Sequence, residues 1–242
     1  MLTKPLKNTS EYKRLLAGMA GEGPAVTALF GMPPTARAQL VAALCEDTGR
    51  PALFVCAGEA EATRMAADAQ TFGQAAEVFP ARDFVLRPVE GLNHEYEYRR
   101  LSVLGNVVGG RTRVVCGGVE ALLQFTMPRG EFCGNTMTIR PGMQIPMEQL
   151  IEKLYSAGYQ RRFQVEGPGQ FSVRGGIVDI YAPDMVKPCR LEFWGDEIDT
   201  IHAFDLISQR REDAVKKIYL SPAREVLFGD TAQAADRLRQ AL

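Results

Sequence analysis

Short apolar runs alternate with helix-type patterns through the first half of the chain. Apolar residues recur at helical spacing after each run, while the runs themselves are short enough for buried strands. The predicted strands are Ala25–Phe30, Pro51–Ala57, Ala76–Phe79 and Thr112–Cys116, and the predicted helices are Thr35–Glu46, Glu59–Thr71, His94–Val108 and Val119–Phe125. Strands and helices that alternate in this way are typical of βαβ units around a parallel sheet. We therefore expect an α/β layer in this half.

The pattern changes near Met127. A strand over Thr136–Arg140 and a helix over Met147–Ala157 precede two consecutive β-hairpins. The hairpin strands are Phe171–Arg174 with Ile177–Tyr181, and Arg190–Trp194 with Glu197–Ile201. Gly175-Gly176 and Gly195-Asp196 separate them, and such two-residue links favour type I′ or II′ turns because glycine accepts positive φ. The second half is therefore predicted to be α+β.

The turns also determine which hairpin residues share a face. Pairing Arg174 with Ile177, and Trp194 with Glu197, gives one apolar face and one polar face. The apolar face is predicted to hold Phe171, Val173, Val178, Ile180, Leu191, Phe193, Ile198 and Thr200. The polar face is predicted to hold Gln170, Ser172, Arg174, Asp179, Tyr181, Arg190, Glu192, Trp194, Glu197 and Asp199. A slip of one residue would bury the charges, so this register is well specified.

The polar face has two interpretations. It is either a solvated surface whose cross-strand ion pairs each contribute roughly 0–1 kcal/mol, or a docking surface. Arginine and tryptophan are enriched in interface hot spots, and Trp194 is the one tryptophan of the chain. The pattern alone leaves both interpretations open.

Composition narrows the class of protein. The chain has 242 residues, and 28 basic against 29 acidic residues give a net charge of −1. A dedicated nucleic-acid binder would show a basic excess. Five scattered cysteines without a CxxC pair predict a reduced, cytoplasmic protein with neither a zinc site nor a disulfide framework. No signal peptide or membrane span is predicted, so no membrane partner is expected.

The turn after the first predicted strand is where a P-loop would lie. Gly31 is present, but Ala36, Arg37 and Ala38 stand where Walker A requires glycine, lysine and a hydroxyl residue. Pro33-Pro34 also remove N–H groups that would bind phosphate. We therefore predict a degenerate nucleotide loop without ATP hydrolysis. His94 and Glu97 are the nearest approach to a metal cluster, and a capping or surface role is expected for them.

The runs GYQRRFQVEGPGQFSVRGGIVDIYAP and CRLEFWGDEIDTIHAFD resemble the domain shared by the excision-repair protein UvrB and the transcription-repair coupling factor Mfd. The resemblance covers roughly residues 27–228, and RGG, RLEF and GDEID are its most specific parts. The segments QVEGPGQFSVRGGIVDI and AFDLISQRR are more similar to the N-terminal UvrB-homology module of the Mfd family, in which the nucleotide loop is degenerate.

The resemblance implies a degenerate RecA-like (P-loop-type) parallel-sheet domain with an inserted α+β domain that carries the two hairpins. It implies a domain 1a-like part over 1–126, a UvrA-binding domain 2-like part over 127–211, and a domain 1b-like return segment over 212–242. A strand over Lys216–Leu220 is then expected to return to the first sheet. A helical pattern over Thr231–Leu242 stops with the chain, which indicates a piece of a longer protein.

The resemblance also implies a partner and its contacts. The UvrA-binding positions that match the family are Arg174, Arg190 and Trp194, with Glu192 and Arg161 as further candidates. Contacts with RNA polymerase and DNA, and a motor with ATP and Mg²⁺, belong to the missing domains, which are also expected to mask this face by intramolecular docking in the resting full-length protein. No cofactor is expected for this chain.

Two alternatives to a UvrA-binding adaptor stay open. One is a UvrB-like nucleotide-dependent enzyme domain that verifies DNA damage. The short stretch Arg87–Asn93 argues against it, because UvrB carries a long aromatic β-hairpin there. The other is a structural spacer that packs on the motor.

Overall fold

A computed structural model describes residues 2–19, 26–82 and 94–227. The predicted loop Arg87–Asn93 and the predicted helix Thr231–Leu242 lie outside the described residues. The chain divides into two compact units, Met1–Phe84 with Asn106–Gln124 and Val85–Gly105 with Phe125–Leu242. Parallel and antiparallel strands both occur, so the chain is of mixed α/β class. The division at residues 126 and 211 stays a prediction.

The first unit contains a three-stranded parallel sheet. Its elements are α1 (Lys4–Lys7), α2 (Ser10–Met19), α3 (Pro34–Thr48), β1 (Ala52–Cys56), α4 (Glu59–Thr71), β2 (Ala76–Phe79), the last residues of α5 (Glu95–Val108), β3 (Val114–Gly118) and α6 (Val119–Leu122). The strand order is β1-β3-β2, with both neighbours parallel to β3. Small side chains of α3 and α4, such as Ala38 and Ala66, pack against Cys56 and Cys116. The predicted βαβ alternation is confirmed for these elements.

The first predicted strand, Ala25–Phe30, is wrong as far as the structure describes it. Residues 26–30 are irregular, and Val26 and Phe30 are 99% and 89% exposed. Strand β1 is also less buried than its apolar run predicts, because Cys56 is covered whereas Leu53 is 58% exposed. An apolar run predicts burial only where another element covers it, and no described strand pairs with residues 26–30.

The second unit is built around a six-stranded sheet. Besides most of α5, it contains α7 (Arg129–Gly134), β4 (Met137–Ile139), α8 (Met147–Ser156), β5 (Gln160–Arg161), β6 (Gln170–Arg174), β7 (Ile177–Tyr181), β8 (Cys189–Trp194), β9 (Glu197–Phe204), β10 (Arg211–Ala214) and β11 (Ile218–Leu220). The order of the large sheet is β10-β9-β8-β7-β6-β5. Leu150 and Leu154 of α8 pack with Phe171, Ile180 and Leu191, which gives this unit its main core.

Both predicted hairpins form in the predicted register. Arg174 pairs with Ile177 and Trp194 pairs with Glu197. The face assigned to Thr200 is wrong, however, because the register shifts between Glu192 and Phe193. Glu192 lies opposite Thr200, and Ile201, which is 1% exposed, takes the place on the apolar face. The extra residue of a β-bulge changes the alternation beyond it, which a strict period of two does not anticipate.

The predicted strand near Lys216–Leu220 exists as β11, but its expected pairing is wrong. It runs antiparallel to β4 of the same unit, with Ile218 opposite Ile139, and does not join the first sheet. Ile218 and Leu220 belong to the core that contains Ile139 and Leu150. Burial of these side chains explains why the strand stays with the second unit.

A buried ion pair connects α5 with the segment after β11. The side chains of Arg100 and Glu225 are both 0% exposed, and Arg100 Nε and Nη2 donate to the Glu225 carboxylate at 2.9–3.1 Å. Arg100 Nη2 also donates to the carbonyl of Phe125 and to Thr126 Oγ1. Glu97 accepts from the Glu225 N–H at 2.9 Å, which adds a second connection.

Candidate functional site

The predicted polar face is one side of the six-stranded sheet, and we call it the open face. One row across the strands contains Ser172, Asp179, Arg190 and His202, which are paired in register. The neighbouring row contains Arg174, Ile177, Glu192 and Thr200. Trp194 lies beside the β8–β9 turn, on the same side of β8 as Arg190 and Glu192. The register thus brings together four of the five predicted contact residues.

Asp179 lies at the centre of the open face and is 1% exposed. Its Oδ1 accepts from Arg190 Nε at 2.7 Å, and its Oδ2 accepts from Arg190 Nη2 at 3.0 Å and from Arg174 Nη2 at 2.7 Å. One carboxylate therefore holds both arginines. These hydrogen bonds raise the pKa of Arg190 above its usual value.

Arg190 is packed into the face, and only 14% of its side chain is exposed. Its guanidinium carbon lies 4.7 Å from the centre of the Phe204 ring, and Nη1 donates to the carbonyl of Gln209. Arginine over an aromatic face gains from cation–π attraction as well as from apolar contact. Most of this arginine is therefore occupied within its own chain.

Arg174 and Trp194 are the accessible members of the set. The Arg174 side chain is 43% exposed and is held to Asp179 through Nη2. Trp194 is 84% exposed, which is unusual for the largest apolar side chain. Trp194 is the last residue of β8, and the turn after it has a left-handed backbone at Gly195, where φ is +60°.

Glu192 and Arg161 differ in position. Glu192 lies on the open face, where it accepts from Thr200 Oγ1 at 3.0 Å and from Arg211 Nη1 at 3.2 Å. Arg161 lies in β5 and pairs with Phe171, whose side chain belongs to the core face. The structure therefore separates Arg161 from the other four residues.

Sequence reasoning missed the central role of Asp179 and the support from Phe204. The sequence predicts Asp179 on the polar face, but only its distances to Arg174 and Arg190 identify it as the shared acceptor. The register is a usable signal, because it predicts Asp179 of β7 on the polar face, directly opposite Ser172 of β6. Phe204 lies beyond the predicted end of its strand, and no local pattern links it to Arg190.

The predicted degenerate loop has features that disfavour phosphate binding. Gly31 has a left-handed φ of +74°, but Pro34 is already the first residue of α3. Arg37 Nε donates to the carbonyl of Met32 at 3.2 Å. Ala38 is 1% exposed and packs in the core of the first unit, and Ala36 is half-buried beside it in the helix. The hydroxyl position of Walker A is thus occupied by a core methyl group.

The described residues give little support for a metal site, a reactive cysteine or a membrane span. No group of three His, Cys, Asp or Glu side chains there could hold a metal ion. His94 and Glu97 both contact Arg224 instead, at 2.6 and 2.9 Å. Burial raises the pKa of the Cys116 thiol to about 12, which makes it a poor nucleophile at neutral pH. None of the helices described has the length and apolar character that a membrane span needs.

Comparison with known proteins finds similarity over the segment that contains this face. The family described as UvrB interaction domain matches residues 137–226, which contain both hairpins. A transcription-repair-coupling factor of Bacillus subtilis is 27% identical over 241 residues, which are 98% of this chain and 20% of the relative. The corresponding protein of Myxococcus xanthus is 34% identical over 210 residues, 83% of this chain and 17% of the relative.

The chain thus spans about a fifth of the length of these curated relatives. A Staphylococcus aureus relative of the same name, 27% identical, also aligns with 91% of the chain. The relatives cover both units, whereas the family match is confined to the second. The family match and these relatives together support the identification of this chain as a UvrB-homology module of a transcription-repair-coupling factor.

Proposed function

We propose that this chain is a non-catalytic adaptor that binds UvrA through the open face and recruits excision repair to stalled RNA polymerase. The observation that carries the proposal is Trp194, 84% exposed beside two arginines that a buried carboxylate holds in place. An exposed tryptophan next to an ordered guanidinium is the residue combination of a protein interface. Other domains of the longer protein would supply the contacts with polymerase and DNA.

The two accessible residues contribute to UvrA binding in different ways. Arg174 donates charge-assisted hydrogen bonds to a carboxylate of the partner. Trp194 provides apolar area that becomes buried on docking. Arg190 supports Arg174 through Asp179, and Glu192 lies at the margin, where Arg211 already pairs with it. Arg161 is left out of the proposed contact because it lies in β5 on the row of Phe171.

Replacing Arg174 by alanine should weaken UvrA binding by about 2 kcal/mol, or about thirtyfold in Kd. Its side chain is accessible, so the loss would come from the interface. Titration calorimetry with purified UvrA would measure it, with Arg140→Ala as a matched control on an exposed arginine outside the open face. Equal affinities for wild type and Arg174→Ala would move the site elsewhere, and no binding by the wild type would favour a spacer that packs on the motor.

The first unit, in this proposal, is a RecA-like domain that has lost its nucleotide site. The parallel sheet, the left-handed Gly31 and the start of α3 at Pro34 support this descent. Arg37 stands where Walker A has its lysine, and its Nε donates to the carbonyl of Met32 in its own loop instead of reaching outward to a phosphate. The chain then needs no cofactor of its own, and ATP and Mg²⁺ would act in the motor domains.

ATP with Mg²⁺ should therefore leave the melting temperature of the chain unchanged. A ligand at 100 times its Kd would stabilise the protein by about 2.7 kcal/mol, which a thermal scan detects easily. UvrB, as a protein with a functional loop, provides the positive control. An increase of several degrees for this chain would restore the alternative of a nucleotide-dependent enzyme domain.

A further inference from the structure

Asp179 cannot contact a partner itself, because only 1% of the residue is exposed. Its oxygens accept three hydrogen bonds from Arg174 and Arg190. The hydroxyl of Ser172, which lies directly opposite in the register, has no hydrogen-bond partner among the described residues. The Asp179 carboxylate thus accepts hydrogen bonds from the two arginines and not from the neighbouring Ser172 hydroxyl. Any effect of Asp179 on docking must act through them.

The charges of this cluster do not cancel. Two guanidinium groups share one carboxylate, which leaves one positive charge in excess. The two arginines differ in access, with 43% of the Arg174 side chain exposed against 14% for Arg190. The excess charge is therefore presented to solvent mainly by Arg174. One carboxylate on the partner would neutralise the excess positive charge of this cluster. A second carboxylate would be buried in the interface without a cation to pair with it.

We propose that Asp179 is a positioning residue that fixes Arg190 as a support and presents Arg174 to one carboxylate of the partner. This inference rests on the proposed function. An arginine held in one orientation before docking loses less rotamer freedom on binding. Arg190 stacks on Phe204 and holds the Asp179 carboxylate in place. Asp179 in turn holds Arg174, so it affects docking without touching the partner.

The variant Asp179→Asn tests the inference because it keeps the shape and removes the charge. We expect about tenfold weaker binding of UvrA, since both arginines must then be ordered during association. Asp47→Asn is the matched control, because the Asp47 carboxylate accepts hydrogen bonds from Lys7 and Tyr12 in the first unit and not from residues of the open face. Circular dichroism would establish that both variants are folded. Wild-type affinity in Asp179→Asn would overturn the inference while leaving UvrA binding in place.

A second measurement needs neither a partner nor a folded variant. Hydrogen exchange of the arginine Nε–H groups, followed by NMR, should show strong protection at Arg190 in the wild type relative to exposed Arg140. The Nε–H of Arg190 donates to Asp179 at 2.7 Å, and this bond accounts for the protection. Exchange at Arg190 as fast as at Arg140 would also overturn the inference. Failure of the wild type to bind UvrA would be a different result, because it removes the proposed function itself.

Discussion

Replacing Glu225 by alanine should lower the free energy of unfolding by about 4 kcal/mol, because it removes a fully buried carboxylate that binds the guanidinium group of Arg100. Arg100 and Glu225 are both fully buried, and two guanidinium nitrogens of Arg100 bind the carboxylate. Arg100 Nη2 also donates to the carbonyl oxygen of Phe125 and to Thr126 Oγ1, which are neutral acceptors. Urea unfolding followed by circular dichroism would measure the loss.

The ion pair of Lys187 and Glu212 gives a matched surface control. At 2.7 Å it is shorter than the buried pair, at 2.9 Å, but more than half of the Lys187 side chain is exposed. Glu212→Ala should therefore change stability by less than about 1 kcal/mol. The double variant Arg100→Met with Glu225→Leu should be far less destabilised than Glu225→Ala, because it removes both charges. A loss for Glu225→Ala no larger than for Glu212→Ala would contradict the prediction.

Trp194→Ala should weaken UvrA binding by about 3 kcal/mol, the largest binding effect expected for this chain. Truncation removes the whole indole from the interface, and aromatic side chains bury 150–250 Å² each. The side chain is 84% exposed in the free chain, so the melting temperature should hardly change. Calorimetric titration and a thermal scan of the same sample would separate the two effects.

Phe163→Ala is the matched control for this prediction. Phe163 is 90% exposed, but it lies after β5, at the opposite end of the strand order from β9 and β10. Loss of this aromatic side chain should leave UvrA affinity unchanged. Trp194→Phe should retain most of the binding, because it keeps an aromatic anchor. Equal losses of UvrA affinity for Trp194→Ala and Phe163→Ala would contradict the prediction, because any exposed aromatic side chain would then contribute to binding wherever it lies.

The hairpins were predictable because several local signals agree. Glycine turns, period-two alternation and the cost of burying charge all select the same register, which the structure confirms. The same agreement placed Arg174, Arg190 and Trp194 on one face. The bulge before Phe193 was not predictable, because its cause is the fit between two strands and not the composition of either. A strict period of two therefore predicts Thr200 on the wrong face.

Long-range partners explain the other differences. Arg100 and Glu225 are 125 residues apart, and each taken alone looks like an ordinary surface residue in the sequence. The apolar run at 26–30 resembles a buried strand, yet burial depends on elements elsewhere in the chain. Asp179 was placed on the correct face, but its three hydrogen bonds depend on side-chain geometry that no spacing rule contains.

The exposure of Trp194 also gives the open face a built-in optical signal. The chain has one tryptophan, so its indole fluorescence reports this position alone. In the free chain the emission should be that of a water-solvated indole, and docking should shift it towards shorter wavelengths.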